Sequence, residues 1–336
     1  MKMHKILVIA NYRKSVGGIA GQVDILLDKL NTESVSSELF NTKTGNLKRI
    51  FLPFTLFFKN GHHDTYHIHG CSGLGFYPVI IGTIVGIIKR KKIIITYHGG
   101  DLKEFLESNP RLVKFFLKRA DLVTVPSQYL LDILNKNKIE AVYLPNIIRE
   151  DNISFKLRKT IRPTLIVTRS LEKVYNIPLA INAFYKIKKK YGDAELFIVG
   201  DGSLKKELEL KVKDSGVTGI HFLGRIENAK IGEVINKADI FINPTTADNM
   251  PLSLFEAFAC GIPVISTNVG GLPNFIQDNE NGFLINSNDV DGLVSKIDFI
   301  LNNPDAVLPI VEAAHATFLK FTWDRLRSQY FKLYDS

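Results

Sequence analysis

Residues 243–276, NPTTADNMPLSLFEAFACGIPVISTNVGGLPNFI, hold the side chains with the most evident chemical use. A short apolar run at 240–243 reads as a strand, and a polar loop carrying Asp248 follows it. A helix then starts near Pro251 or Leu252 and stops at Gly261, a residue type suited to a left-handed cap. Pro263 blocks its continuation and 264–266 returns to strand. Asp248 and Glu256 are thus placed on a loop at the carboxyl edge of a sheet and in the first turns of the next helix. Two carboxylates in one crevice accept hydrogen bonds from hydroxyls, which suits a polyol. The adjoining helix amino terminus suits a phosphate.

The elements that must position these groups alternate along the chain. Strand-like runs fall at 6–10, 66–69, 93–97, 122–125 and 142–144, with helix-like stretches at 19–30, 77–88, 110–120 and 128–134 between them. The alternation restarts at 165–168 and continues through 196–199, 220–223, 240–243, 264–266 and 283–285. Strand and helix alternating in two series predict an α/β protein of two doubly wound parallel sheets. Residues 148–162 carry seven charged side chains with little apolar pattern and read as the linker. In 321–334, Trp323, Leu326, Tyr330 and Leu333 recur at helical spacing, with Thr322 placed as the cap.

Composition agrees with two cores. The chain has 336 residues, 45% hydrophobic and 23% charged, which excludes disorder and fibrous architectures. Two cysteines, Cys71 and Cys260, cannot build a disulfide framework and fit a reducing compartment. The apolar run 76–88 is too short to span a bilayer. The net charge of +9 is unevenly divided, because residues 1–160 carry 24 Lys and Arg against 13 Asp and Glu. That half is expected to face something anionic.

Asp248-x7-Glu256 followed by AFACGIPVISTNVGGLPNFI resembles the acidic-x7-Glu motif of the retaining glycosyltransferases of family 4, also called group 1. Further segments resemble that family in order: 15–21 (SVGGIAG), 96–101 (TYHGGD), 121–127 (DLVTVPS), 144–146 (LPN), 167–169 (VTR), 199–203 (VGDGS), 222–225 (FLGR) and 281–284 (NGFL). Two positions depart from the family pattern. Asp248 stands where Glu is usual, and Lys173 follows Arg169 one step earlier than the usual lysine.

The resemblance implies the GT-B architecture, two Rossmann-like doubly wound domains facing a cleft. An acceptor domain would span 1–155, a nucleotide-sugar domain 160–318, and a helix at 319–336 would cross back onto the first. It implies a retaining transfer from a nucleotide sugar, first a uridine diphosphate sugar, to a glycan or lipid-linked acceptor in bacterial surface polysaccharide synthesis. Arg169, with Lys173 as helper, would stabilise the charge that grows on the diphosphate leaving group. Glu256 would bind the ribose hydroxyls and Asp248 a hydroxyl of the donor sugar. His98 would approach that sugar, completing the catalytic set. Donor contacts are expected from Gly17, Gly18, Gly200, Asp201, Gly202, Arg225, Asn249, Met250, Pro251, Leu252, Gly270 and Gly271.

Other readings compete. Gly17 and Gly18 fit an ordinary turn, and no G-x-G-x-x-G dinucleotide fingerprint is present there. Asp201 fits a loop or cap. His67 and His69 share one strand face within 62–69 (HHDTYHIH), but few carboxylates and no cysteine complete a metal site. Asp289 and Asp291 resemble a metal-binding D-x-D yet are better placed to cap a helix. Neither a metal nor another cofactor is expected. The aromatic and basic segments 49–60, 89–92 and 114–119 point to peripheral association with an anionic membrane surface on the cytoplasmic side. Nucleic acid is not expected as a partner. Rival functions are a nucleotide-sugar epimerase of the same architecture and a sugar-nucleotide-binding protein without turnover.

Overall fold

The computed structural model describes residues 5–13, 18–59 and 62–335, with nothing taken from the side chains of Asn46 and Leu47. The chain divides into two compact units, Met1–Ile147 with Trp323–Ser336, and Ile148–Thr322. Unit 1 holds the parallel strands β1 (Lys5–Ala10), β2 (Ser36–Asn41), β3 (Thr65–Gly70), β4 (Lys92–Tyr97), β5 (Leu122–Val125) and β6 (Val142–Tyr143), in the order β2-β1-β3-β4-β5-β6. Unit 2 holds β7 (Thr164–Thr168), β8 (Glu195–Val199), β9 (Ile220–Gly224), β10 (Ile240–Asn243), β11 (Val264–Thr267) and β12 (Phe283–Ile285), in the order β12-β11-β10-β7-β8-β9. Each is a Rossmann-like sheet wound in both directions from its first strand, as expected from the alternation of the sequence.

Unit 2 shows why its strands read as unbroken β-branched runs. Leu165 and Val167 of β7, with Ile240 and Ile242 of β10, are buried on one face against the helices Ile177–Lys190 and Val290–Asn302. Ile166 and Phe241 point the other way and bury against Leu254, Phe255 and Phe258 of the helix Leu252–Ala259. Both faces of a parallel sheet are covered, so the interior positions of β7 and β10 are apolar.

Unit 1 has one apolar face, built on Leu7, Ile9, Tyr66, Ile68, Ile93 and Ile95. Its other face sets a buried polar row beside the equally buried Ile6, Val8 and Ile94. His67 Nε2 lies 2.7 Å from Thr96 Oγ1, which lies 2.7 Å from Thr124 Oγ1, while His67 Nδ1 meets the Tyr334 hydroxyl at 2.9 Å. The helix Trp323–Asp335 therefore packs on unit 1 through Trp323, Leu326, Tyr330, Leu333 and Tyr334, all buried. The Tyr330 hydroxyl donates to the Pro145 carbonyl at 2.9 Å, and Lys92 Nζ to that of Leu333 at 2.7 Å.

Two features differ from the sequence reading. β2 was not anticipated, because SSELFN is an edge strand with mostly exposed or half-buried side chains and carries no apolar signal. The divide between units falls earlier than the boundary at 155–160. Ile148 is buried in unit 2, and Arg158 fastens the polar stretch there by donating to the carbonyls of Ala238, Lys156, Cys260 and Gly261 and to Asp239.

Candidate active site

In unit 2 the chain runs outward from β7 to β8 and β9, then returns to lay β10 on the opposite side of β7. Open α/β sheets take ligands beyond the carboxyl ends of the two strands at such a reversal. Arg169 follows β7 and Asn243 closes β10. Arg169 Nε donates to Asn243 Oδ1 at 2.9 Å, and its Nη2 is ion-paired with Asp248 Oδ2. The guanidinium also lies 4.8 Å from the Tyr175 ring centroid. Asn243 is itself fixed by donation to Ser266 Oγ at 3.0 Å. Burial draws the Arg169 pKa below its ordinary value, partly offset by Tyr175 and Glu256, and a guanidinium so placed keeps its charge.

Asp248 sits against the glycine pair of the next loop. Gly271 N donates to the Asp248 carbonyl at 3.0 Å. Gly270 adopts φ of +56°, and a Cβ there would run into the same carbonyl. Asn249, Met250 and Pro251 are buried and Leu252 is half-buried, leading into Leu252–Ala259, whose amino terminus no side chain caps. The Ser253 hydroxyl is buried there without a hydrogen-bond partner, as is that of Thr168 at the end of β7. Glu256 lies in the second turn. Burial pushes its carboxyl up to about 7, while Arg169 and Arg149 pull the other way.

The loop after β8 completes the crevice wall. Gly200 holds φ of +145° with its backbone against that of Arg169, leaving no room for a side chain, and Leu171 N donates to the Asp201 carbonyl at 3.1 Å. The Asp201 carboxylate accepts from Gly202 N at 2.9 Å, turning onto its own loop. Glu172 takes both the amide and the hydroxyl of Ser203 at 2.9 and 2.5 Å. Lys173 opens a short turn, Lys173–Tyr175, with its side chain exposed and unpaired among the described residues. Arg225 is likewise exposed, just beyond β9. The structure thus joins Arg169, Asp248, Asn249, Gly270 and Gly271, sets Glu256 within electrostatic reach of Arg169, and leaves Lys173 and Arg225 outside that network.

Unit 1 carries His98 just past β4. Its Nε2 lies 2.9 Å from His69 Nδ1 on β3, and Asn146 hydrogen-bonds to the ring as well. Burial lowers the His98 pKa to about 4 and that of His67 to about 3, so both are neutral near pH 7. Gly18 begins the helix Gly18–Thr32 with open space beside it, and Gly17 lies outside the described residues. His67 and His69 hydrogen-bond within the polar face of the sheet. Asp289 caps the helix Val290–Asn302 by accepting from Gly292 N at 2.8 Å, and Asp291 pairs with Lys186.

Asn243, Tyr175 and Arg149 were not singled out in the sequence, and His69 was weighed there only as a metal ligand beside His67, not as the partner of His98. Asn243 was visible as a polar residue ending an apolar strand one position before a proline. Tyr175 and Arg149 act through space, and nothing in their local sequence marks them.

The model of the group 1 glycosyl transferases matches residues 149–316, half of the chain. The N-acetyl-alpha-D-glucosaminyl L-malate synthase of Bacillus anthracis is 28% identical over 295 residues, covering 81% of this chain and 74% of that protein. The amylovoran biosynthesis glycosyltransferase AmsK of Erwinia amylovora is 28% identical over 68% of this chain and 60% of its own. Among solved structures, Anabaena HepE in complex with UDP and glucose superposes with a TM-score of 0.82, covering 99% of this chain and all of that one at 18% identity. Two Rossmann-like sheets, an arginine fixed at the reversal of the second and the match across that unit lead to one assignment. The chain belongs to the group 1 glycosyltransferases and has the GT-B fold.

Proposed function

We propose that this glycosyltransferase moves a sugar from a uridine diphosphate donor, with retention at the anomeric carbon and without a metal, onto a glycan or lipid-linked acceptor of a bacterial surface polysaccharide. The observation that carries the reading is the fixed guanidinium of Arg169. It stands between Asn243 and Asp248 beside an uncapped helix amino terminus whose Ser253 hydroxyl has no partner. Cleaving the sugar–phosphate bond leaves charge on the diphosphate, and a preoriented guanidinium with a helix amino terminus that no side chain caps meets that charge without a cation. Donor entry separates Arg169 from Asp248. The arginine then turns to phosphate and the carboxylate to a sugar hydroxyl, with Glu256 left for the ribose. UDP in HepE supports the choice of donor, and the biosynthetic role named for AmsK, in making amylovoran, supports that of a biosynthetic acceptor.

The membrane surface belongs to the same proposal. The helices Leu52–Lys59, Tyr77–Ile88 and Pro110–Leu117 pack in sequence against one another in unit 1. They leave Phe54, Phe58, Ile84, Ile87, Ile88 and Phe115 exposed, with Lys89 over Phe57 at 4.0 Å and Arg119 over Phe115 at 3.4 Å. No helix among the described residues is long and apolar enough to cross a membrane. Apolar side chains ringed by cations suit adsorption to anionic lipid at the cytoplasmic face.

The test is turnover of the full chain with a panel of nucleotide sugars and a lipid-linked acceptor, reading the anomer formed by NMR. Arg169→Ala should lower turnover about a hundredfold or more with the fold intact. Unchanged turnover would remove Arg169 from the reaction.

A further inference from the structure

The histidine run at 62–69 resolves into two pairs with different surroundings. His67 and His69 are enclosed within unit 1 and hydrogen-bonded to Tyr334, Thr96 and His98. His62 and His63 instead meet Glu38 of the edge strand β2, near the amino ends of β2 and β3. His62 Nε2 lies 3.6 Å from Glu38 Oε1, and His63 Nε2 lies 3.4 Å from Glu38 Oε2. One ligating atom from each of the three residues falls within 4.8 Å of the others.

A tetrahedral zinc ion with bonds of about 2.0–2.1 Å holds its ligand atoms about 3.3–3.5 Å apart. The two imidazoles lie at 3.6 and 3.4 Å from different oxygens of the exposed Glu38 carboxylate, and a turn of that side chain within the 4.8 Å cluster sets one oxygen against both nitrogens. Two imidazoles and one carboxylate favour zinc over magnesium or calcium, which take oxygen ligands. Burial of His63 fixes one ligand in the protein interior, while Glu38 and His62 are more than half exposed and reachable from solvent. We propose that Glu38, His62 and His63 form a three-ligand site for a zinc-class divalent ion, with a fourth position open to water. The ion ties the edge strand β2 to the segment that enters β3, two elements that β1 separates within the sheet. The site is structural and supplies no step of glycosyl transfer.

The experiment uses untagged full-length chain stripped with a chelator and titrated with zinc chloride against a chromophoric competitor. One zinc per chain is expected, with a rise in the thermal midpoint that magnesium does not reproduce. Glu38→Gln and His62→Ala change exposed side chains and leave the fold intact by circular dichroism. Each should weaken zinc binding about tenfold or more, and the double variant should lose the thermal shift. His221→Ala removes a histidine that has a single carboxylate neighbour, Glu195 at 3.6 Å, and should bind zinc as the unmodified chain does. Absence of zinc binding, binding unaltered in the Glu38 and His62 variants, or equal stabilisation by magnesium would each overturn the assignment.

Discussion

Replacing Glu256 with Gln should stabilise unit 2 at alkaline pH and leave it nearly unchanged in acid. The Glu256 carboxyl has a folded pKa of about 7 against an ordinary 4.5, chiefly because burial penalises the charged form. A group raised in the folded state contributes its full stability below the unfolded value. That contribution falls as pH rises and is exhausted above the folded value. At 1.36 kcal/mol per pH unit the difference amounts to about 3 kcal/mol, and solvent screening of a half-buried carboxyl trims it to roughly 2 to 3. Glutamine keeps the shape and does not ionise, so the gap between Glu256→Gln and the unmodified chain should widen by that amount from pH 5 to pH 8. Urea unfolding, read together with hydrogen exchange of the peptide carrying Leu252–Ala259, measures it. A gap constant across that range would refute the claim that burial dominates over Arg169 and Arg149.

Unit 1 should respond to pH in the opposite sense. The His67 and His98 values are lowered from 6.5 to about 3 and about 4, so stability present above 6.5 is lost as pH falls, and hydrogen exchange of β3 and β4 should quicken below that point. Arg158→Met should cost about 3–5 kcal/mol in urea unfolding, because Asp239, 5% exposed, is left with the largely solvated Arg162 and several buried carbonyls lose their donor. A loss below 1 kcal/mol would show the linker to be loosely held. Turnover should persist in excess chelator, measured at a temperature where the stripped chain stays folded; loss restored by magnesium would favour a metal at the diphosphate. Phe54→Ser with Phe58→Ser, and separately Lys114, Lys118 and Arg119 to Glu, should weaken sedimentation with anionic vesicles, each cation contributing about 1 kcal/mol. Nucleotide affinity should not change.

The central strands of unit 2 were legible because both faces of the sheet are covered there, so apolar runs mark them. β2 escaped because an edge strand needs little apolar surface, and Glu38 on it became noticeable only beside His62 and His63. In the candidate site, Asp248 and Glu256 were readable from their spacing about a predicted helix start. The setting of Arg169 was not. Its orientation depends on Asn243 at the end of another strand and on Tyr175 beyond a turn, and such pairing follows from strand order. The linker misled for a related reason: Arg158 counts as a solvated charge in composition, yet it fills a pocket of carbonyl oxygens.

The division of the chain has a consequence for how the protein is made. Unit 2 is one continuous stretch, Ile148–Thr322, whereas unit 1 is closed by Trp323–Ser336. During synthesis the whole of unit 2 leaves the ribosome before the segment carrying Tyr330 and Tyr334. The partner of His67 Nδ1 and the hydroxyl that caps the Pro145 carbonyl are therefore supplied last. The nested unit holds all of its own strands and does not need that segment, whereas without it the surrounding unit keeps the polar row of its sheet uncovered. A purified chain cut after Thr322 would hold a protected unit 2 and a protease-sensitive unit 1, and the helix Trp323–Asp335 would act as the latch on the first-made half.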